Sequence, residues 1–252
     1  MDDLDAAWRF DVMIQERCAT RTEPFEWGTA IFNERFPRVH DQNLLRLENG
    51  FGEVDARELA AEADRLQRPA GLSHRKLLVP DRAAGERLAP EFKELAWQRA
   101  RNLVMAHRGE RPAEPRHPVQ VVDPESIRAA RVRDSAHELD RTAGEQITGA
   151  LELIGEVVES SSLFAVLAGG EAVSWCVLYE EGGIAEIDAV ATAVEHRRHG
   201  YGRAVVEAAT RAALDSGNEL VFLIADDEDW PKELYAKVGY EPIGVRYEFT
   251  RT

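Results

Sequence analysis

The residues best suited to chemistry lie in one segment, where two glycines stand among basic side chains. The segment reads Val190-Ala-Thr-Ala-Val-Glu-His-Arg-Arg-His-Gly-Tyr-Gly-Arg203 and falls between a predicted strand and a predicted helix. Glycine lets the backbone approach a ligand closely, and the start of a helix presents unpaired N–H groups. Such an arrangement binds anions, and here it favours a pyrophosphate. The candidate binding residues are Arg197, Arg198, His199, Gly200, Tyr201, Gly202 and Arg203.

A glycine pair before a helix is a weak signal by itself, and other interpretations compete with it. The simplest is a tight strand-to-helix connection with solvated arginines. A Walker A loop would need Gly-Lys-Ser or Gly-Lys-Thr, whereas Arg203 follows Gly202. A dinucleotide fingerprint would need a third glycine, which is missing here. These two nucleotide-binding alternatives therefore fit the segment less well.

The elements around this segment form a predicted β-meander followed by helices and strands. Gly169-Gly170 and Gly182-Gly183 predict tight hairpin turns, because glycine tolerates positive φ. Helices and strands that mix without strict βαβ alternation predict an α/β fold around a mixed, mostly antiparallel sheet. The predicted elements are strands 162–168, 173–179, 184–192, 220–225 and 245–250, and helices 123–139, 144–160, 202–216 and 230–238.

Two motifs in this part of the chain resemble the GNAT superfamily, the GCN5-related N-acetyltransferases. Arg197-x-x-Gly200-x-Gly202 is similar to the family's motif A. Leu234-Tyr-Ala-Lys-Val-Gly-Tyr240 is similar to its Leu-Tyr-x-Lys-x-Gly-Phe signature, with Tyr240 in place of phenylalanine. The resemblance covers roughly Val119 to Thr252. It implies acetyl-CoA as cofactor and transfer of the acetyl group, by direct attack, to the amine of a small molecule.

The resemblance also implies roles for single residues. Val190, Ala191 and Thr192 match a strand that splays from its neighbour and pairs with the pantetheine arm. Tyr235 matches the family tyrosine that protonates the departing thiolate, a task that suits a phenol because it is neutral at pH 7. A partly buried tyrosine with a purely structural hydrogen bond is the alternative for Tyr235.

The general base is sought among the carboxylates of the strand that precedes the glycine segment. Strict alternation would put one set of side chains on one face, namely Ile184, Glu186, Asp188, Val190 and Thr192. Glu186 ranks above Asp188, because it matches the position of the catalytic glutamate of histone-acetyltransferase members. Alternatively, both carboxylates only line a polar substrate pocket.

An acidic run, Asp226-Asp227-Glu228-Asp229, follows the next strand. It could recognise a cationic substrate, or it could be a solvated loop in which Asp229 caps the helix that begins near Trp230-Pro231.

The polar, proline-containing segment between His107 and Pro118 predicts a linker. It divides the chain into a first domain at 1–110, a linker at 111–118 and a catalytic domain at 119–252. Phe92-Lys-Glu-Leu-Ala-Trp97 matches Tyr235-Ala-Lys-Val-Gly-Tyr240 in its aromatic and small positions. This match predicts a duplicated GNAT-like fold whose first half is degenerate, unless the six residues match by chance.

In that first half, the residues that would do chemistry are changed. Phe92 has no hydroxyl with which to donate a proton. Gly50-Phe51-Gly52 echoes the later glycine pair, but Leu47 stands where an arginine is needed and Glu53 follows. A negative charge at that point opposes pyrophosphate binding.

Charge and composition exclude several classes of function. The formal net charge is −15, which argues against binding of nucleic acid or anionic membranes. No apolar run reaches the ~18 residues of a membrane helix, the acidic start is no signal peptide, and neither cysteine has metal-ligand spacing. We therefore expect a cytoplasmic enzyme without a metal. The sequence leaves open a homodimer, a non-catalytic acyl-CoA sensor or interaction module, and a different acyl donor or a hydroxyl acceptor on the same fold.

Overall fold

Glycine turns and apolar runs fold the chain into one large sheet with helices on both faces. The structure is a computed structural model that describes residues 2–136 and 139–252. The helices are α1 (Asp3–Cys18), α2 (Ala56–Gln67), α3 (Arg82–Glu94), α4 (Arg128–Ser135), α5 (Arg141–Val157), α6 (Tyr201–Asp215) and α7 (Pro231–Val238). The strands are β1 (Arg21–Phe25), β2 (Gly28–Phe32), β3 (Leu44–Leu47), β4 (Arg75–Val79), β5 (Gln98–His107), β6 (Gln120–Val122), β7 (Ser160–Ala168), β8 (Glu171–Glu181), β9 (Ile184–Thr192), β10 (Leu220–Asp226) and β11 (Tyr240–Arg251).

The sheet is mixed and mostly antiparallel, with the order β1-β2-β3-β4-β11-β5-β10-β9-β8-β7-β6. Each half of the chain contains one parallel pair joined through a helix, β3–α2–β4 in the first half and β9–α6–β10 in the second. A further helix and an antiparallel strand follow each pair, α3–β5 and α7–β11. The fold is therefore an α/β arrangement whose two halves repeat the same order of elements.

The two halves exchange their last strands. The final strand of the second half, β11, lies between β4 and β5 of the first half. The final strand of the first half, β5, pairs in turn with β10 of the second half. Phe249 of β11 is fully buried and stacks on Phe92 of α3, with 4.3 Å between ring centroids. Burial of one such side chain contributes about 1.5–3 kcal/mol, so the exchange ties the halves together.

Apolar clusters on both faces of the sheet hold the layers in place. On one face of the sheet, α6 and α7 cover the second half, and α2 and α3 cover the first. On the other face, α1 and α5 pack on the central strands through residues such as Phe10, Trp175 and Phe222. Phe10 and Phe222 meet edge to face at 5.6 Å. We refer to this second side of the sheet as the α1 face.

Several local predictions need correction. Strand β6 was not expected, and the predicted helix 123–139 is a 3-10 turn, Pro124–Ile127, followed by α4. Residues 137–138, at the end of that prediction, lie outside the described part of the chain. The residue that caps α7 is Trp230 and not Asp229, whose Oδ1 accepts a hydrogen bond from the Trp230 N–H at 2.7 Å.

The segment that connects the halves is docked on α6. Arg111 forms an ion pair with Asp215, and Arg211 donates a hydrogen bond to the carbonyl of Pro112 at 2.7 Å. The division into domains at 111–118 stays a prediction. Within residues 2–136 and 139–252, no helix is long and apolar enough to cross a membrane, and no cluster of His, Cys, Asp or Glu side chains could hold a metal ion.

Candidate active site

A cleft opens where the two parallel strands β9 and β10 separate. They pair only through their first residues, with Glu186 opposite Phe222 as the last pair. Beyond that point β10 stays with β5, whereas β9 stays with β8. The side of β9 that faces β10 from Ile187 to Thr192 therefore has no strand partner in the described chain. The structure places Val190, Ala191 and Thr192 on this free edge.

A β-bulge in β9 changes which face its side chains occupy. Ala189 and Val190 together stand opposite Cys176 of β8, and Ala189 has φ of 50°. The extra residue reverses the alternation, so Val190 packs on the α6 side whereas Ala189 lies on the α1 face. The prediction that Ile184, Glu186, Asp188, Val190 and Thr192 share one face is therefore wrong beyond Asp188.

The loop after β9 presents unpaired amide groups to the mouth of the cleft. Within the described residues, no acceptor is bonded to the backbone N–H groups of 198–203. Gly200 caps α6 with φ of 84° and provides no side-chain acceptor. Arg198 also has a positive φ, 65°, a conformation that is uncommon for residues other than glycine and often marks functional sites. The helix start is thus an open anion site.

The basic side chains of the loop are arranged around this site. Arg197 donates a hydrogen bond through Nε to the Thr192 carbonyl at 3.2 Å. His199 donates through Nδ1 to the Arg197 carbonyl at 2.8 Å, which requires the proton on Nδ1. The ring of Tyr201 stacks on His199, with 5.7 Å between centroids. Arg203 pairs with Glu207 at 2.6 Å, so its charge is partly matched.

Tyr235 lies on α7 and is buried in the apolar cluster on the α6 side of the sheet. Burial raises the pKa of its hydroxyl, and the nearby Cys176 and Asp188 raise it further. Other buried tyrosines bond to the protein, since Tyr240 contacts Thr210 Oγ1 at 2.8 Å and Tyr179 donates to the Leu151 carbonyl at 2.9 Å. The Tyr235 hydroxyl has no such partner within the described residues. It is a protonated donor that is free to bind a ligand.

Glu186 and Asp188 lie on the α1 face beside the same cleft. Burial raises the pKa of Glu186 well above its ordinary value, and the charges of Asp188 and Asp11 raise it further. Burial also raises the pKa of Asp188, against the opposing effect of the Ala189 N–H, which donates to its Oδ1 at 2.6 Å. Arg246 lowers both pKa values through its positive charge. A carboxylate with a raised pKa is a stronger base once ionised.

A family model covers the part of the chain that carries this arrangement. The model described as the acetyltransferase (GNAT) family matches residues 129–240, a range that includes the cleft, the loop and Tyr235.

Residues 129–240 form a GNAT acetyltransferase domain.

The chain therefore contains an acyltransferase domain of the GNAT type, and the fold of the chain agrees with solved structures. It is similar to a functionally unknown conserved protein from Staphylococcus epidermidis, with 14% identity, TM-score 0.66, and 91% of this chain and 92% of that chain covered. A GCN5-related N-acetyltransferase from Kribbella flavida has 17% identity and TM-score 0.63, with 99% and 96% covered. A tandem GNAT protein from the clavulanic acid biosynthesis pathway has 18% identity and TM-score 0.52, with 77% and 69% covered. No curated protein sequence matches this chain.

The first half differs from the GNAT domain at the corresponding helix start. The N-terminal N–H groups of α2 are bonded to carboxylates, since Asp55 accepts from the Arg57 and Glu58 N–H groups and Glu91 accepts from the Ala56 N–H. The indole of Trp27 covers Gly50, where an added Cβ would lie 2.4 Å from its Cδ1. Protein carboxylates therefore occupy the place where an anion would bind.

Three residues beside the candidate site were not identified from the sequence. His117, from the connecting segment, packs edge to face on Tyr201 at 4.7 Å and lies over Gly200. Asp11 of α1 and Arg246 of β11 form an ion pair at 2.8 Å beside Glu186. Asp11 and Arg246 are far apart in the sequence, and no motif joins them. His117 stands next to a proline in a polar segment, which gave no signal beyond that of a linker.

The acidic run after β10 bonds to first-half arginines. Asp227 pairs with Arg101, and Glu228 pairs with Arg99, both on β5. Lys232 also bonds to Asp227, at 3.0 Å. The run therefore joins β10 to the exchanged strand β5.

Proposed function

We propose that the chain transfers the acetyl group of acetyl-CoA to a primary amine of a small molecule by direct attack. The observation that carries this proposal is the separation of β9 and β10 beside a helix start whose N–H groups are free. An extended ligand with an anionic end fits this combination, because strand edges bind through main-chain hydrogen bonds and helix starts bind anions.

The residues present fit coenzyme A. Val190, Ala191 and Thr192 would hold the pantetheine arm along the free edge of β9. The amides of 198–202 would hold the pyrophosphate, and Arg198 and Arg203 would add positive charge near it. Bound acetyl-CoA would supply the thioester. The amine nitrogen would form a bond to the acetyl carbonyl carbon, and the carbon–sulfur bond would break so that the CoA thiolate leaves.

Two groups would move the protons of the reaction. The amine must lose a proton before or during attack, and Glu186 lies on the α1 face with a pKa raised by burial. The leaving sulfur must gain one, and the buried Tyr235 hydroxyl is protonated and free of other partners. We assign Glu186 as the general base, with Asp188 beside it, and Tyr235 as the general acid.

The acceptor is assigned as cationic because of the charges on the α1 face. Three carboxylates lie there, those of Glu186, Asp188 and Asp11. Asp188 and Asp11 raise the pKa of Glu186, and Asp11 also raises the pKa of Asp188. The positive charge of Arg246 lowers the pKa of all three. An ammonium group placed among them would lower their mutual repulsion.

We further propose that 1–110 is a degenerate GNAT-like domain and that 119–252 is the catalytic domain. The carboxylates on the start of α2 and the Phe92 side chain in place of a tyrosine support loss of function in the first half.

Two measurements on the intact chain test the proposed function. Saturating CoA or acetyl-CoA should raise the melting temperature by mass action. Release of free thiol from acetyl-CoA should then depend on an added primary amine. A protein that binds CoA and releases no thiol with any amine would be an acyl-CoA-binding module and not an enzyme, whereas no thermal shift at millimolar CoA would contradict the proposal altogether.

A further inference from the structure

A cavity of about 290 Å³ lies on the α1 face, beneath helix α1. One end is formed by Phe222 and Ile224 of β10, at the point where β10 separates from β9. The other end is formed by Phe51 and Pro80, which follow β3 and β4 of the first half. The cavity therefore runs across the exchanged strands, from the GNAT cleft to the corresponding place in the first half.

The walls of the cavity combine apolar and acidic groups. Trp8, Phe51, Phe222 and Ile224 provide apolar surface. Four carboxylates also line the cavity, those of Asp5, Asp11, Glu48 and Asp81, against the single guanidinium of Arg246.

Part of that negative charge is not matched by the protein. Asp11 is paired with Arg246 at 2.8 Å, and Glu48 is paired with Arg46 at 2.6 Å. Asp5 and Asp81 have no ion pair with any described residue, although Asp81 accepts a hydrogen bond from the Ala84 N–H as the N-cap of α3. Apolar walls with unmatched carboxylates suit a ligand that has an apolar body and a positive charge.

The position of the cavity connects it to the proton-transfer groups. Phe222, in its wall, is the direct strand neighbour of Glu186. Asp11, also in its wall, raises the pKa of Glu186 through its charge. The cavity therefore adjoins the strand position of Glu186 through Phe222, although Glu186 does not itself line it.

We propose that this cavity binds the acceptor, a primary amine that carries an apolar group. The first half of the chain thus sets acceptor specificity through the residues that follow β3 and β4. The inference rests on the proposed acetyl transfer, and it assigns the substrate class and the residues that select it.

The test uses the intact protein saturated with CoA and titrated with phenethylamine, hexylamine or the uncharged 2-phenylethanol. Calorimetry should detect binding of the two amines at millimolar concentration and weaker binding of the alcohol. Asp81→Asn should weaken phenethylamine binding several-fold and raise its KM without lowering kcat. Asparagine caps a helix as well as aspartate does, so the variant should keep its fold.

Asp55→Asn is the matched control, because Asp55 caps α2 in the same way and does not line the cavity. It should leave amine binding unchanged. The inference is overturned if neither amine binds, if the alcohol binds as well as the amine, or if the two variants behave alike. CoA binding measured on the same samples keeps the two proposals separate, since CoA binding without amine binding contradicts only the cavity assignment.

Discussion

The amide N–H of Ala56 donates a hydrogen bond to the carboxylate of Glu91, 3.0 Å away. In the first half, carboxylates of the protein thus accept hydrogen bonds from the N–H groups at the start of α2. In the second half, the N–H groups at the start of α6 have no side-chain cap. The same order of elements therefore yields one closed and one open anion site.

Gly202→Ala should weaken CoA binding several-fold. A Cβ at Gly202 would lie 3.1 Å from Thr192 Oγ1, so α6 and the end of β9 would have to move apart slightly. Gly52→Ala, at the corresponding glycine of the first half, is the control, because nothing lies within 4 Å of its added Cβ. Calorimetry with CoA measures both variants, and equal affinities for the two would argue against the assigned loop.

Tyr235→Phe should reduce kcat by about 10²–10⁴-fold, the usual contribution of a positioned proton donor. Affinity for CoA should remain, because the phenol ring is kept and its hydroxyl bonds to no described group of the protein. Steady-state thiol release and CoA calorimetry separate the two effects. A variant with wild-type kcat would show that Tyr235 is a structural residue.

The pH dependence of kcat/KM should report the ionisation of Glu186. Burial raises the pKa of this carboxyl, so the basic form is lost as pH falls through a value above the ordinary 4.5. Activity should therefore rise with pH through that raised pKa, and Glu186→Gln should abolish this limb of the profile.

Asp188→Asn distinguishes the two carboxylates. The charge of Asp188 raises the pKa of Glu186. Removal of that charge should therefore keep the rise of kcat/KM with pH but shift it to lower pH. If Asp188→Asn abolishes the limb and Glu186→Gln keeps it, the base is Asp188.

Gly85→Ala should destabilise the chain by about 1–3 kcal/mol, the usual cost of overpacking a core. A Cβ at Gly85 of α3 would lie 2.1 Å from Cδ2 of Tyr247, which β11 brings from the second half. Thermal unfolding should show the loss, and adding Tyr247→Leu should recover part of it. A melting temperature of Gly85→Ala at or above wild type would contradict the strand exchange.

The sequence predicted the local part of this site well. Glycine pairs and apolar runs are local signals, and they located β9, α6, β10 and α7 within a few residues. The bulge could not be predicted, because it depends on Ala189 adopting a positive φ that alanine rarely takes. The predicted strand 184–192 therefore has the correct ends, but the prediction of which face its last side chains occupy is wrong.

Contacts between residues that are far apart in the chain could not be predicted from local sequence patterns. The exchange of β5 and β11 depends on pairing between residues such as Phe249 and Arg99, which are far apart in the chain. Asp11 reaches Glu186 only through the packing of α1 on the central strands. The strands β1 and β6 lack a clear apolar alternation, since β1 contains Pro24 and β6 has only three residues.

A crystal structure with coenzyme A tests the central claim most directly. We expect one CoA in each chain, with its pyrophosphate bonded to the amides of 198–202 and its pantetheine along Val190 to Thr192. The first-half cleft should hold no nucleotide. A CoA molecule bound at the start of α2, or any pose that leaves the loop between β9 and α6 without a phosphate, would contradict the account.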